Sequence, residues 1–415
     1  ISPEKILPDF PAVVGVWDYD SSWESIGPEG GNATGMAFNP QNNSEIFTTF
    51  YAYPSPVFKS VNSGQAWERK ALINGYLIGI TVDPTNPNKI YAFVSSGIYK
   101  STDGGGNWQY YGFGSGLYSE GKMAINPANP GILYSAGNYY ESGYSRPGMA
   151  VLKSINGGES WTGMKLTPSS QNTYGLTYSI AIDPLNPNTI YAGGYYYDGS
   201  NSLGKLYKTT DGGQNWTDIT GSMSGYPESI VIDPINPSKV YVGTYWVTYR
   251  SSDGGQTWQK NDGYAYAYAL VIDPSDRNTL YAGYSKCCYK STDGGVNWTQ
   301  YSGGLYGSCN TLLASSTSPT RLFYASNTGI YRSDDSGVSW GASHSGIKIA
   351  QIPALAVAPS SPNIICAEFA VNGFFKSQNF GNSWERLPDF YRCESITKIV
   401  VNPNDSKDLF ILAGG

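Results

Sequence analysis

The sequence predicts an all-β protein, a single β-propeller built from four-stranded antiparallel blades. Counting repeats gives nine blades, with eight as the fallback. Three observations carry this. The stretch Lys100-Ser101-Thr102-Asp103-Gly104-Gly105-Gly106-Asn107-Trp108 has the pattern Ser/Thr-x-Asp-x-Gly-x-x-Trp, and eight copies recur at intervals of 40 to 55 residues. A second signature precedes each box: residues 178–193 read Tyr-Ser-Ile-Ala-Ile-Asp-Pro-Leu-Asn-Pro-Asn-Thr-Ile-Tyr-Ala-Gly, a strand, a proline turn and another strand. Four short strands in a unit of about 40–50 residues match the period of a propeller blade.

Each unit reads strand A, turn, strand B, loop, strand C, box turn, strand D. In the A–B turn, proline fixes φ and ends the first strand, while Asp or Asn closes the turn with its side chain. Copies stand at Asn39-Pro40, Asp83-Pro84, Asn126-Pro127, Asp233-Pro234, Asp273-Pro274, Ala358-Pro359 and Asn402-Pro403, with a degenerate copy over 315–326. In the C–D turn, glycine supplies positive φ and the acidic side chain accepts backbone N–H bonds from its own loop. The tryptophan opens strand D and is large enough to fill the gap between neighbouring units. The box positions are Asn62 and Trp67, Asp103 and Trp108, Asn156 and Trp161, Asp211 and Trp216, Asp253 and Trp258, Asp293 and Trp298, Asp335 and Trp340, Asn379 and Trp384. Asn replaces Asp in three of them, so a ring of carboxylates for a metal is not what the pattern preserves. The expected role is structural, and neither a metal nor a cofactor is called for.

There are nine A–B halves and eight boxes. Val16-Trp17-Asp18-Tyr19-Asp20-Ser21-Ser22-Trp23 keeps Asp and Trp at the box spacing. The expectation is therefore an extension over residues 1–11 and a propeller over 12–415, closed by the N-terminal hairpin pairing with the C-terminal strands. Such a closure removes two sheet edges.

These box residues resemble the Asp-box of the BNR-repeat β-propellers, a superfamily that includes sialidases, xyloglucanases, sortilin-type receptors and photosystem assembly factors. The resemblance covers nearly the whole chain and implies the fold. It leaves function open, because enzymes and non-enzymes share the box. Sialidases hold their substrate carboxylate with three arginines, the first in a Phe/Tyr-Arg-Ile-Pro motif, and residues 1–59 contain no arginine. Xyloglucanases of the two-propeller type place their site in a cleft between propellers, and the repeat count offers this chain no second propeller.

Long B–C loops (138–150 and 195–205) and a long D–A loop (167–178) fall on one face of a propeller. That face would carry Tyr118, Tyr139, Tyr140, Tyr144, Tyr174, Tyr195, Tyr196, Tyr197, Tyr226, Tyr245, Trp246, Tyr264, Tyr266, Tyr268 and Tyr306. Rings with hydroxyl tips stack on sugars and serve protein interfaces at low entropy cost. Variable loops on a rigid scaffold are where binding concentrates. A glycosidase would need two carboxyls flanking the scissile bond; the same face offers Glu120, Glu141, Asp198, Glu228, Glu394 and Asp389.

Among the five cysteines, Cys288 (or Cys287) and Cys309 are placed to form a disulfide in an oxidising compartment, and Cys366 and Cys393 pair similarly. The alternative is that all are small buried apolar residues. A net charge of −6 with no basic stripe argues against nucleic acid as a partner, and one histidine excludes histidine-based metal sites. No apolar run approaches membrane-spanning length. The start at Ile1 and the Tyr-, Gly-, Asn- and Ser-rich composition suit a secreted or surface protein whose signal peptide has been removed. The reading these features favour is a non-catalytic scaffold that binds a glycan, a partner protein or itself through the tyrosine-rich face. A glycoside hydrolase acting on extracellular polysaccharide is the alternative, and a subunit of an extracellular fibre or surface layer the second alternative.

Overall fold

The computed structural model describes residues 31–261 and 265–343, and beyond them 354–357, 361, 363–369, 373–379, 383–386, 395–401 and 409–414. Every regular element among these residues is a β-strand. Seven four-stranded antiparallel sheets follow one another over residues 33–73, 79–112, 117–165, 174–218, 227–260, 269–301 and 309–342, here blades 1 to 7. Strand order within each blade is sequential, so each blade comes from one continuous segment.

The chemistry of the turns explains why each unit folds alone. In blade 2, Asp103 Oδ1 accepts the backbone N–H groups of Gly106 and Asn107 at 2.9 Å each, and Ser101 Oγ donates to it at 2.8 Å. These bonds hold the Asp103, Asp211 and Asp253 carboxyls well below the usual carboxylate range. Asn62, Asn156 and Asn379 accept the same bond, from the N–H of Ala66, Ser160 and Ser383. Neutral amides thus do the same work, which leaves the box a structural clasp. Asp253→Asn is accordingly expected to leave the melting temperature unchanged, whereas Asp253→Ala lowers it; thermal unfolding of the two variants checks this, and equal losses would show that charge matters.

A second pattern joins the blades. The residue before each box serine or threonine is cationic: Lys59, Lys100, Lys153, Lys208, Arg250, Lys290, Arg332 and Lys376. Lys153 Nζ and Tyr134 Oη both donate to Gly212 O in the next blade's box, and Lys208 Nζ and Tyr191 Oη both donate to Gly254 O. Arg250 reaches Gly295 O in the same way. Tyr134 and Tyr191, on strand B of blades 3 and 4, thus tie their blades to the next.

The ring closes between blade 7 and blade 1, which corrects the expected count of nine, and the fallback of eight, to seven. Arg332 of blade 7 donates to Ser63 O in the blade 1 box at 2.9 Å, repeating the inter-blade clasp. Trp67 Nε1 donates to Ser343 O at 2.7 Å, and Asn310 Nδ2 to Ala33 O at 2.8 Å. Phe50, Phe58, Trp67, Phe323 and Ile330 share one core cluster across this seam. The eighth and ninth repeats do fold as sheets, over 354–386 and 395–414, and Ala354–Val357 packs against Ser395–Val401. They stand outside the closed ring of seven blades. The hairpin expected at 16–23, with the boundary at residue 12, lies outside the described residues.

Candidate functional site

The innermost strands of all seven blades surround a central channel of about 830 Å³. In blades 1, 3, 4, 5 and 7 the inner strand bulges where it pairs with its neighbour. The residues left out of register are Thr34, Glu120 to Lys122, Tyr178, Glu228 and Asn310, and every one lines the channel. A bulge bends the strand and re-aims a side chain, so the fold itself selects which residues face the opening. Gly121, inside the largest bulge, has no room for a side chain: a Cβ would come within 2.5 Å of Tyr178 O in blade 4.

This arrangement brings Glu120 and Glu228 together at one channel and separates them from the other acidic candidates. Glu228 is half-buried, and burial pushes its carboxyl up to about 7, with the Lys122 charge holding it back. Burial also raises Glu120 and lowers the Lys122 ammonium. Burial raises the Tyr178 phenol, and the charges of Glu228 and Glu120 raise it further. Glu141 instead pairs with Lys165 Nζ at 2.5 Å on the outer loops. Asp198 Oδ1 accepts the N–H groups of Ser200 and Asn201 at 2.8 and 2.7 Å, which makes it the brace of its own turn. Asp389 and Glu394 lie outside the described residues.

Aromatic side chains form an arc beside the channel mouth across blades 3 to 6. Tyr118 meets Tyr140 at 5.4 Å between centroids; Tyr174 meets Tyr195, Tyr195 meets Tyr226, and Tyr226 meets Trp246 at 5.8, 4.9 and 6.3 Å. Tyr245 continues from Trp246 to Tyr268 and Tyr284, and Tyr266 stacks on Tyr284 at 4.8 Å. Trp246 is 52% exposed, a large ring open to solvent. Tyr268 belongs both to the arc and to the channel lining.

Several expected binding residues fall elsewhere. Tyr139 is buried: its hydroxyl donates to Thr167 O and accepts from Ser169 N, both at 2.9 Å, so it braces the loop rather than facing a ligand. Tyr197 turns its hydroxyl to Gly199 O, and Tyr196, on the opposite face of that strand from Tyr195, is half-buried. Tyr144 and Tyr306 are exposed, Tyr306 lying against Tyr331 of blade 7, and Tyr264 lies outside the described residues. Cys288 and Cys309 are buried free thiols packed in one apolar cluster, Cys309 opening blade 7 rather than closing blade 6. The expected bridge is not formed, and burial raises both thiols. Cys366 is likewise a free, buried thiol; Cys393 lies outside the described residues.

Sequence reasoning missed two groups. Tyr284 and the exposed trio Tyr51, Tyr53 and Tyr76, with Tyr51 stacked on Tyr76 at 4.9 Å, lie on the same kind of loop as the chosen tyrosines. Applying the loop rule to blades 1, 2 and 6 would have found them. Lys122 and Tyr178 left no signal, because a single extra residue in a strand does not alter its composition.

The BNR/Asp-box repeat model matches residues 249–260. A probable oligoxyloglucan-reducing end-specific xyloglucanase of Neosartorya fischeri is 31% identical over 157 residues, 34% of this chain and 17% of that protein. A xyloglucanase of Hypocrea jecorina is 25% identical over 246 residues, 49% of this chain and 28% of the relative. The chain thus spans less than a third of either curated relative. An ancestral GH74 enzyme of known structure superposes with a TM-score of 0.69 at 18% identity, over 92% of this chain and 58% of the other, a likeness of fold.

Proposed function

We propose that this Asp-box β-propeller acts on an extracellular polysaccharide as a glycoside hydrolase, with a xyloglucan-type glucan as the first substrate to test. The observation that carries the reading is the meeting of the aromatic arc with the Glu120–Glu228 pair at the channel mouth, Tyr268 being common to both. The xyloglucanase relatives support it independently.

In this reading the arc binds and orients the sugars, and Glu228 is the general acid. A carboxyl that titrates near 7 still holds its proton in mildly acidic water, which suits protonation of a leaving oxygen. Glu228 gives that proton to the glycosidic oxygen as the bond to the anomeric carbon breaks. Water attacks the anomeric carbon and Glu120 takes its proton, so the two carboxyls exchange protonation states and re-equilibrate with solvent. Exposed tyrosines and Trp246 supply the stacking, each ring contributing about 0.5–1.5 kcal/mol.

A non-catalytic glycan binder is the second reading, favoured by the continuity of the arc, which is complete without any carboxylate. Incubation with a panel of soluble polysaccharides, scored by new reducing ends and by retention in affinity electrophoresis, separates the two. Trp246→Ala is expected to weaken retention roughly threefold to tenfold, from the stacking contribution of one ring. Retention without released ends would leave a binder; neither retention nor release would remove both readings.

A further inference from the structure

Lys122 is a buried-channel cation that neither reading uses. It sits on the blade 3 bulge, where Glu120 to Lys122 stand against Ala136 alone, and its Nζ donates to Ser229 Oγ of blade 5 at 3.1 Å, passing blade 4. Ser229 Oγ also accepts the backbone N–H of Leu270 in blade 6 at 3.0 Å. One hydroxyl therefore joins three blades at the channel wall, and the residue before it in sequence is Glu228. An ammonium that keeps its charge in a desolvated channel requires a compensating group nearby. No carboxylate lies within ion-pair distance of Lys122 among the described residues; burial lowers the ammonium, and Ser229 and the longer-range field of Glu228 offset only part of that cost.

We propose that Lys122 is a positioning residue for Glu228: clamped by Ser229, its ammonium is held in the same channel as that carboxyl, beyond ion-pair distance, and governs when the carboxyl releases its proton. The inference rests on the hydrolase reading only for its consequence in catalysis; the charge relation itself does not need it. The titratable groups that share the channel lining with Glu228 are Glu120 and Lys122 from the inner strand of blade 3, Tyr178 from blade 4, Tyr268 from blade 6 and Cys309 from blade 7. Burial keeps the phenols and the thiol protonated through the neutral range. Lys122 is then the one cation of that set, and Glu120 the one further anion. The geometry also explains the size of the blade 3 bulge: three residues stand against one, so Glu120 and Lys122 flank Gly121 and both reach the channel.

The test is a direct titration of the Glu228 carboxyl in the full chain, by carbon-13 NMR of labelled glutamate with the signal assigned through Glu228→Gln. Lys122→Met is expected to move the Glu228 midpoint upward by about one pH unit, the usual influence of a close opposite charge. Lys122→Arg should restore it towards the native value. Ser229→Ala keeps the charge but frees the clamp, and should move the midpoint in the same direction by less. This variant, with Lys122→Arg, decides the matter if Lys122→Met does not fold. An unmoved or lowered midpoint in folded Lys122→Met, or in Ser229→Ala when the former is unfolded, overturns the proposal. Where polysaccharide is hydrolysed, the alkaline limb of the rate profile must move with the midpoint. If the midpoint moves and no polysaccharide is cleaved, the positioning role stands and the hydrolase reading falls.

Discussion

Trp67→Ala is expected to destabilise the ring by about 3–5 kcal/mol, the cost of emptying a well-packed aromatic site in a core. The residue is nearly fully buried among Phe50, Phe58, Phe323 and Ile330, and its Nε1 bond to Ser343 O crosses from blade 1 to blade 7. Chain continuity spans six of the seven blade interfaces, whereas the hydrogen bonds across the seam among the described residues each involve a side chain. Removing the indole leaves a cavity, frees a buried carbonyl and loosens the closure at once. Trp298 provides the comparison, because its Nε1 bonds Gly295 O in its own box and its interface is spanned by the chain. Thermal unfolding should place Trp67→Ala roughly 10 °C below the native protein, with Trp298→Ala between the two. Equal losses would mean that the seam is no weaker than any other interface.

Glu228→Gln is expected to lower polysaccharide hydrolysis by about 10²–10⁴-fold, the range typical of losing a general acid, with retention of the polysaccharide unchanged. In the native protein, activity should fall as pH rises through about 7, because the proton donor is lost there. Stability provides a reading free of substrate. The folded carboxyl holds its proton more tightly than the unfolded one, whose ordinary value is 4.5, up to about 7. Its contribution is therefore complete below pH 4.5 and is lost as pH climbs to about 7. The loss is on the order of 1–3 kcal/mol, the upper figure being the whole difference and the lower allowing for water in the channel. Denaturant unfolding across this window should show the decline in the native protein and a flatter response in Glu228→Gln. Unchanged hydrolysis in the variant would remove Glu228 from the mechanism whatever the stability curves show.

The sequence by itself determined the blade. Asp103 with its serine and glycines, and Asp83 with its proline, close turns through bonds between residues a few positions apart, so their effect can be read from local order. The same holds for the loop face, because alternation of turns places Tyr140, Tyr195, Tyr245 and Trp246 on one side whatever the ring size. Tertiary structure alone decided how many blades close. Repeat eight carries the same box signal as the first seven and repeat nine the same A–B signal, and closure depends on Trp67, Arg332 and Asn310 meeting partners more than 250 residues away. It also decided the site. Glu120, Lys122 and Glu228 look like scattered polar residues in their strands, and only the bulges and the convergence of inner strands bring them to one channel. Convergence of this kind is a property of the ring's curvature, which no single repeat contains.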